Sequence, residues 1–123
     1  MAKILVVDDS QAHLYALRKM LEDAKYEVIT AEDGDEGVEK AASEQPDLIL
    51  MDVVMPGLNG FQATRKIARN PATADIPVIF VTTKDQETDK IWGMRQGAAD
   101  YITKPVDKNV LLSSISQTLE AQA

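Results

Sequence analysis

The sequence predicts a doubly wound α/β fold, a five-stranded parallel sheet with five helices packed over its two faces. Three observations predict it. Several apolar runs are uninterrupted rather than alternating, which is the pattern of strands buried on both sides. Segments with helical spacing lie between the runs, so strands and helices alternate along the chain. The connections are short, and right-handed crossovers between parallel strands then place helices on both faces of the sheet.

Each element has its own justification. Ile4-Leu5-Val6-Val7 is the first strand, and Leu14, Leu17 and Leu21 follow at helical spacing. Glu27-Val28-Ile29-Thr30-Ala31 is more mixed, as suits an edge strand, and Val38 with Ala42 marks the second helix. Leu48-Ile49-Leu50-Met51 is the third strand. Phe61, Thr64, Ile67 and Ala68 make the third helix, and Asn59-Gly60-Phe61-Gln62 fits a capping box at its start. Residues 70–76, carrying Pro71 and leading to Pro77, read as a surface loop before the strand Val78-Ile79-Phe80-Val81. Thr83-Lys84-Asp85-Gln86 fits the start of the fourth helix, where Ile91 and Met94 are expected in the core and Trp92 can meet a partner. Gly93 should weaken that helix by about 1 kcal/mol relative to Ala. Tyr101-Ile102-Thr103 is a second edge strand, Asp107 is placed to cap the last helix, and Leu112, Ile115 and Leu119 give its apolar stripe. His13 reads as a solvated residue of the first helix.

At 123 residues the chain suits one domain, residues 1–123, with one core. A net charge of −7 disfavours nucleic acid and anionic membrane surfaces as partners. With no cysteine there is neither a disulfide framework nor thiol chemistry, and a cytoplasmic location is the default. Only four apolar residues precede Asp8-Asp9, too few for a signal-peptide core, and no 18-residue apolar span occurs, so membrane insertion is not expected.

The ends of the strands carry the functional signal. The first runs into Asp8-Asp9, the third into Asp52, the fourth into Thr82-Thr83 and the fifth into Lys104-Pro105. Ligands of open α/β sheets bind outside the carboxyl ends of the strands, so these groups would share one crevice. Three carboxylates together repel unless a cation sits among them, and oxygen-only ligands favour Mg²⁺. Asp9 and Asp52 are expected to bind it directly, with Asp8 helping through water. Asp52 is placed as a nucleophile for a phosphoryl group, which would form an acyl phosphate. Lys104 can pair with Asp52 before reaction and with phosphoryl oxygens after it, and a cis bond to Pro105 would turn it back over the strand ends. Thr82 supplies a hydroxyl, and Thr83 beside it could narrow access.

These residues resemble a known family. Val6-Val7-Asp8-Asp9-Ser10, Leu50-Met51-Asp52-Val53-Val54-Met55-Pro56-Gly57, Asn59-Gly60, Val81-Thr82-Thr83, Gly97-Ala98 and Tyr101-Ile102-Thr103-Lys104-Pro105 are similar to the receiver domains of bacterial response regulators, of the single-domain CheY-like kind. The resemblance covers nearly the whole chain and implies the strand order 2-1-3-4-5. It also implies that Asp52 takes a phosphoryl group from a phosphohistidine of a sensor kinase or its phosphotransfer domain. Mg²⁺ would then be held by Asp9, Asp52 and the main-chain carbonyl of Val54. Thr82 and Tyr101 match the family's switch pair, with Pro105, Pro56 and Gly60 as structural positions. The segments 55–65 and 82–90 further resemble regulators of twitching motility by the type IV pilus. Output would pass to a protein target through the face of the fourth helix, fifth strand and fifth helix. Val54 and Lys84 border the place where attacking water would approach, so an apolar Val54 is expected to slow loss of the phosphoryl group.

Other readings of the same strand ends fit less well. A haloacid-dehalogenase type phosphatase needs a second aspartate two positions after the nucleophile, where Val54 stands. A flavodoxin-like carrier needs a phosphate-cradling hydroxyl loop where Asp8-Asp9 would repel a phosphate. A dinucleotide enzyme needs a Gly-x-Gly-x-x-Gly turn that this chain lacks. A phosphate sink for a shared kinase, or a scaffold that works without phosphorylation, stays open as an alternative output. The reading is of a signalling protein rather than an enzyme acting on a separate substrate.

Overall fold

The computed structural model describes residues 1–122. Ten elements alternate: β1 (Lys3–Val7), α1 (Gln11–Asp23), β2 (Glu27–Ala31), α2 (Gly34–Glu44), β3 (Leu48–Met51), α3 (Gly60–Arg69), β4 (Val78–Thr82), α4 (Glu87–Arg95), β5 (Asp100–Thr103) and α5 (Lys108–Gln122). The five strands form one sheet in the order β2-β1-β3-β4-β5, and every neighbouring pair is parallel. The two mixed runs are the edges, as their sequences predict.

The sheet is buried on both faces because successive side chains of a strand point to opposite sides. Ile4, Val6, Leu48, Leu50, Ile79 and Val81 face one layer, where they meet Leu14, Leu17 and Leu21 of α1 and Leu111 and Ile115 of α5. Leu5, Val7, Ile49, Met51, Val78 and Phe80 face the other, against Ala41 of α2 and Ala63 and Ile67 of α3. An uninterrupted apolar run is what a strand covered by two such layers requires.

Helix starts are fixed by local hydrogen bonds. Ser10 caps α1 by accepting from the His13 N–H, and Asp33 caps α2 by accepting from the Glu36 N–H. Asn59 and Gln62 form the reciprocal capping box at α3. Asp107 accepts from the Val110 N–H at 3.0 Å at the start of α5. The loop at 70–76 is tied down by the buried Thr73, whose hydroxyl donates to the Ile67 carbonyl at 2.6 Å.

Three expectations fail in the helices. The fourth helix begins at Glu87 with Gln86 as its cap, paired with Asp89, and not at Thr83. Lys84 and Asp85, between Thr83 and the cap, carry the chain from the end of β4 to the helix. Ile91 and Met94 are each 45% exposed and lie outside the core, because the side of α4 that meets the sheet carries Gly93 instead. In α2 the buried side is Gly34, Gly37 and Ala41, with Val38 half-buried, while Ala42 is exposed.

At the amino ends of the strands, Met1 and Ala2 line one shallow cavity with Asp47, Leu119 and Gln122. The carboxyl ends lie at the other side of the sheet, and there the polar residues gather.

Candidate functional site

The hydrogen-bond ladder continues past the strand ends and sets the backbone of the site. The Asp8 N–H donates to the Ala31 carbonyl at 3.1 Å, the Asp52 N–H to the Val7 carbonyl at 2.9 Å, and the Lys104 N–H to the Thr82 carbonyl at 2.8 Å. Residues following β1, β3 and β5 are thereby each tied to a neighbouring strand at the same end of the sheet, the carboxyl ends of its strands. Asp8, Asp9 and Asp52 bring carboxylate oxygens within 4.8 Å of one another, with Asp8 and Asp52 buried and Asp9 exposed.

Lys104 reaches into this cluster from the end of β5, and its bond to Pro105 is cis. Its ammonium donates to Asp8 Oδ2 at 2.6 Å and lies 3.6 Å from Asp52 Oδ2. The second oxygen of Asp8 accepts from the Ser10 N–H at 2.9 Å. Asp52 Oδ1 has only a longer bond, 3.3 Å, from the Val54 N–H. One ammonium is therefore paired with two of the three carboxylates, and it stands closer to Asp8 than to Asp52. Burial pushes the Asp52 carboxyl above its ordinary value, and the negative charge of Asp8 adds to that. Lys104, the Thr82 hydroxyl and the Val54 N–H act in the opposite direction and do not reverse it.

Gly60 is set by close approach. A Cβ there would lie 2.0 Å from the carbonyl oxygen of Asp52, so the first residue of α3 can pass behind Asp52 only as glycine. Its N–H donates to the Val53 carbonyl at 2.9 Å, closing the turn that carries the exposed Val54 and Pro56.

Thr82 is fully buried, and its hydroxyl accepts from the Lys84 N–H at 3.3 Å. Thr83 is exposed on the connection beyond β4. Tyr101 is half-buried on the edge strand, with its ring 5.9 Å from that of Phe80 and its hydroxyl donating to the Lys84 carbonyl at 2.7 Å. Burial, together with the charges of Asp89, Asp52 and Asp85, pushes its phenol up to about 12. It stays a neutral hydrogen-bond donor at any physiological pH.

His13 corrects the reading of it as a solvated residue without partners. Its Nδ1 lies 2.7 Å from the Lys104 ammonium and 3.5 Å from Asp8 Oδ2, although the side chain is 46% exposed. His13 lies in the first turn of α1, which is separated from the end of β1 by only three residues and so starts close to the carboxyl ends of the strands. Sequence reasoning missed this contact because it joins residues 91 positions apart.

A family model described as the response regulator receiver domain matches residues 4–116. The chain belongs to the response regulator receiver family. This receiver is 59% identical over 119 residues to protein PilH of Pseudomonas aeruginosa, which covers 97% of the chain and 98% of PilH. It is 44% identical over 114 residues to response regulator PleD of Caulobacter vibrioides, where the match spans 93% of the receiver but 25% of PleD. Among solved structures, the Vibrio cholerae chemotaxis protein CheY4 superposes with a TM-score of 0.89 at 34% identity, over 95% of this receiver and 98% of CheY4. A CheY-like receiver protein from Methanospirillum hungatei gives 0.91 at 31% identity, over 99% and 96%. No helix among the described residues is long and apolar enough to cross a membrane.

Proposed function

We propose that this receiver is the phosphoacceptor of a two-component phosphorelay, taking a phosphoryl group on Asp52 from a phosphohistidine of a sensor kinase or its phosphotransfer domain. One observation carries the reading: three carboxylates gather at the carboxyl end of the sheet, with Lys104 paired to two of them, an arrangement short of positive charge. The donor set suits Mg²⁺, since it offers carboxylate and main-chain oxygens and no sulfur. Asp9, Asp52 and the Val54 carbonyl would hold the ion, with Asp8 acting through water. Bound there, it would offset charge on the transferring oxygens.

The protein's own groups do the rest. An Asp52 oxygen attacks phosphorus, the P–N bond to the donor imidazole breaks, and its electron pair leaves with the imidazole, so that an acyl phosphate forms. The Lys104 ammonium, already between Asp8 and Asp52, turns to a phosphoryl oxygen. Thr82 donates to another, while Thr83 at the mouth limits access. Thr82 and Tyr101 then change position as a pair, because the phosphorylated state gains a hydrogen bond and charge pairing that the free state lacks.

Residues 1–123 act as one receiver unit that signals by contact with a protein, through α4, β5 and α5, in the cytoplasm. Exposed Trp92, Ile91, Met94 and Val110 lie on that face and support this. Similarity to PilH supports a role in twitching motility. Incubation with Mg²⁺ and acetyl phosphate, followed by intact mass, tests the chemistry. One phosphoryl group should appear on wild type, not on Asp52→Asn, and not when the metal is chelated. No gain in mass from either acetyl phosphate or a phosphorylated kinase would overturn the reading in favour of a scaffold.

A further inference from the structure

α4 is held to the sheet in an unusual way. Its only buried residue is Gly93, while Ile91, Trp92 and Met94 around it are each 45% exposed. No apolar side chain of this helix anchors it, so its backbone rests on what lies beneath position 93. A Cβ built on Gly93 would lie 2.8 and 2.9 Å from Cδ2 and Cε2 of Tyr101, and 3.2 Å from Cδ2 of Phe80. The Phe80 contact asks for a shift of only a few tenths of an ångström, and since the Phe80 ring lies 5.9 Å from that of Tyr101, removing the tyrosine ring leaves room for it. The severe contact is with Tyr101, half-buried on an edge strand.

We propose that Gly93 is a positioning residue, a notch in α4 that admits the Tyr101 ring and thereby ties the seat of the helix to the position of that ring. Ring and side chain at 93 exclude each other, and without the ring an alanine would suit the helix better than glycine.

The other end of Tyr101 connects the notch to the acid cluster. The Lys84 peptide is held twice, its N–H by the Thr82 hydroxyl at 3.3 Å and its carbonyl by the Tyr101 hydroxyl at 2.7 Å. Thr82 ends β4 beside β3, which runs into Asp52, and its hydroxyl favours the charged form of that carboxyl. Movement of the Thr82 hydroxyl toward a group on Asp52 would release one hold on Lys84 and so disturb the other. The ring then shifts in its notch and α4 resettles, carrying Trp92 and Met94 with it. This connection to signalling rests on the phosphoacceptor reading of Asp52, whereas the notch itself does not.

Thermal unfolding of wild type, Gly93→Ala, Tyr101→Ala and the double variant tests the notch. Gly93→Ala should lower Tm when Tyr101 is present and raise it in the Tyr101→Ala background, a reversal that a purely local helix effect would not give. Folding of the double variant where Gly93→Ala alone fails to fold counts the same way; the same sign in both backgrounds, or failure of both to fold, overturns the notch. Trp92 is the only tryptophan, so its fluorescence follows α4 when Mg²⁺ and acetyl phosphate are added, with intact mass read on the same samples. Wild type should change its emission on phosphorylation, and Tyr101→Ala should not, although its mass shows the phosphoryl group. Equal responses in both proteins overturn the coupling. Absence of the mass gain in wild type overturns the phosphoacceptor reading instead, and leaves the Tm comparison to decide the notch.

Discussion

Asp52 bears the electrostatic cost of the site. Its carboxyl is pushed above the ordinary value of 3.8 by burial and by Asp8, so between that value and its raised one the folded state binds more protons than the unfolded chain. Stability then falls as pH rises through that window, and above it the full cost is present. Asp52→Asn should therefore raise the Tm of the metal-free protein at pH 7, on the order of 1 kcal/mol or roughly 3–6 °C in a domain of this size. The gain should fade as the pH is lowered below 3.8, and a scan across pH would check it. Val54 makes a second case. Its side chain is 52% exposed two residues after Asp52 and offers water no hydrogen bond. Val54→Asn should shorten the phosphoryl lifetime by about three- to tenfold, equivalent to about 0.7–1.4 kcal/mol in the barrier, as read from the decay of the phosphorylated mass. An unchanged lifetime would remove Val54 from the account. Asp8, Asp9, Asp52 and Lys104 were legible as a cluster because each directly follows or lies near the end of an apolar run. His13 was not, since nothing in a helix residue's own neighbours shows which strand end its side chain will reach.

The elements divide the same way. Strands β1, β3 and β4 were legible because burial on two faces leaves no polar position to interrupt them, and α1 and α3 because one apolar stripe meets each core layer. The order of the strands came only from resemblance to a family, as alternation alone permits other windings. α4 was misread because its contact with the sheet is made by glycine, so no apolar period marks its inner side. A helix held this way should open more easily than its neighbours. Hydrogen exchange should find the amides of residues 88–95 less protected than those of 63–69 in α3, which carries buried Ala63, Thr64 and Ile67. Equal protection in the two helices would show that α4 is anchored by something other than position 93.

For the whole molecule, the shortage of positive charge makes folding responsive to cations. A ligand that binds only the native state at one hundred times its Kd adds about 2.7 kcal/mol. Mg²⁺ should raise Tm accordingly, chelation should reverse the rise, and both Asp9→Asn and Asp52→Asn should blunt it; a Tm indifferent to Mg²⁺ in wild type would exclude the ion from this cluster. The charge of −7 spreads well beyond these three acids, so monovalent salt at matched ionic strength is the necessary comparison.

The shallow cavity where Met1 and Ala2 meet Leu119 and Gln122 has a consequence of a different kind. Positions 1 and 122 sit together at the amino ends of the strands, while every residue of the acid cluster sits at the carboxyl ends. A short linker could close the chain into a ring there, and a new opening could be cut in the loop at 70–76. The circularly permuted protein would keep its acid cluster, because the join and the cluster lie at opposite ends of the strands.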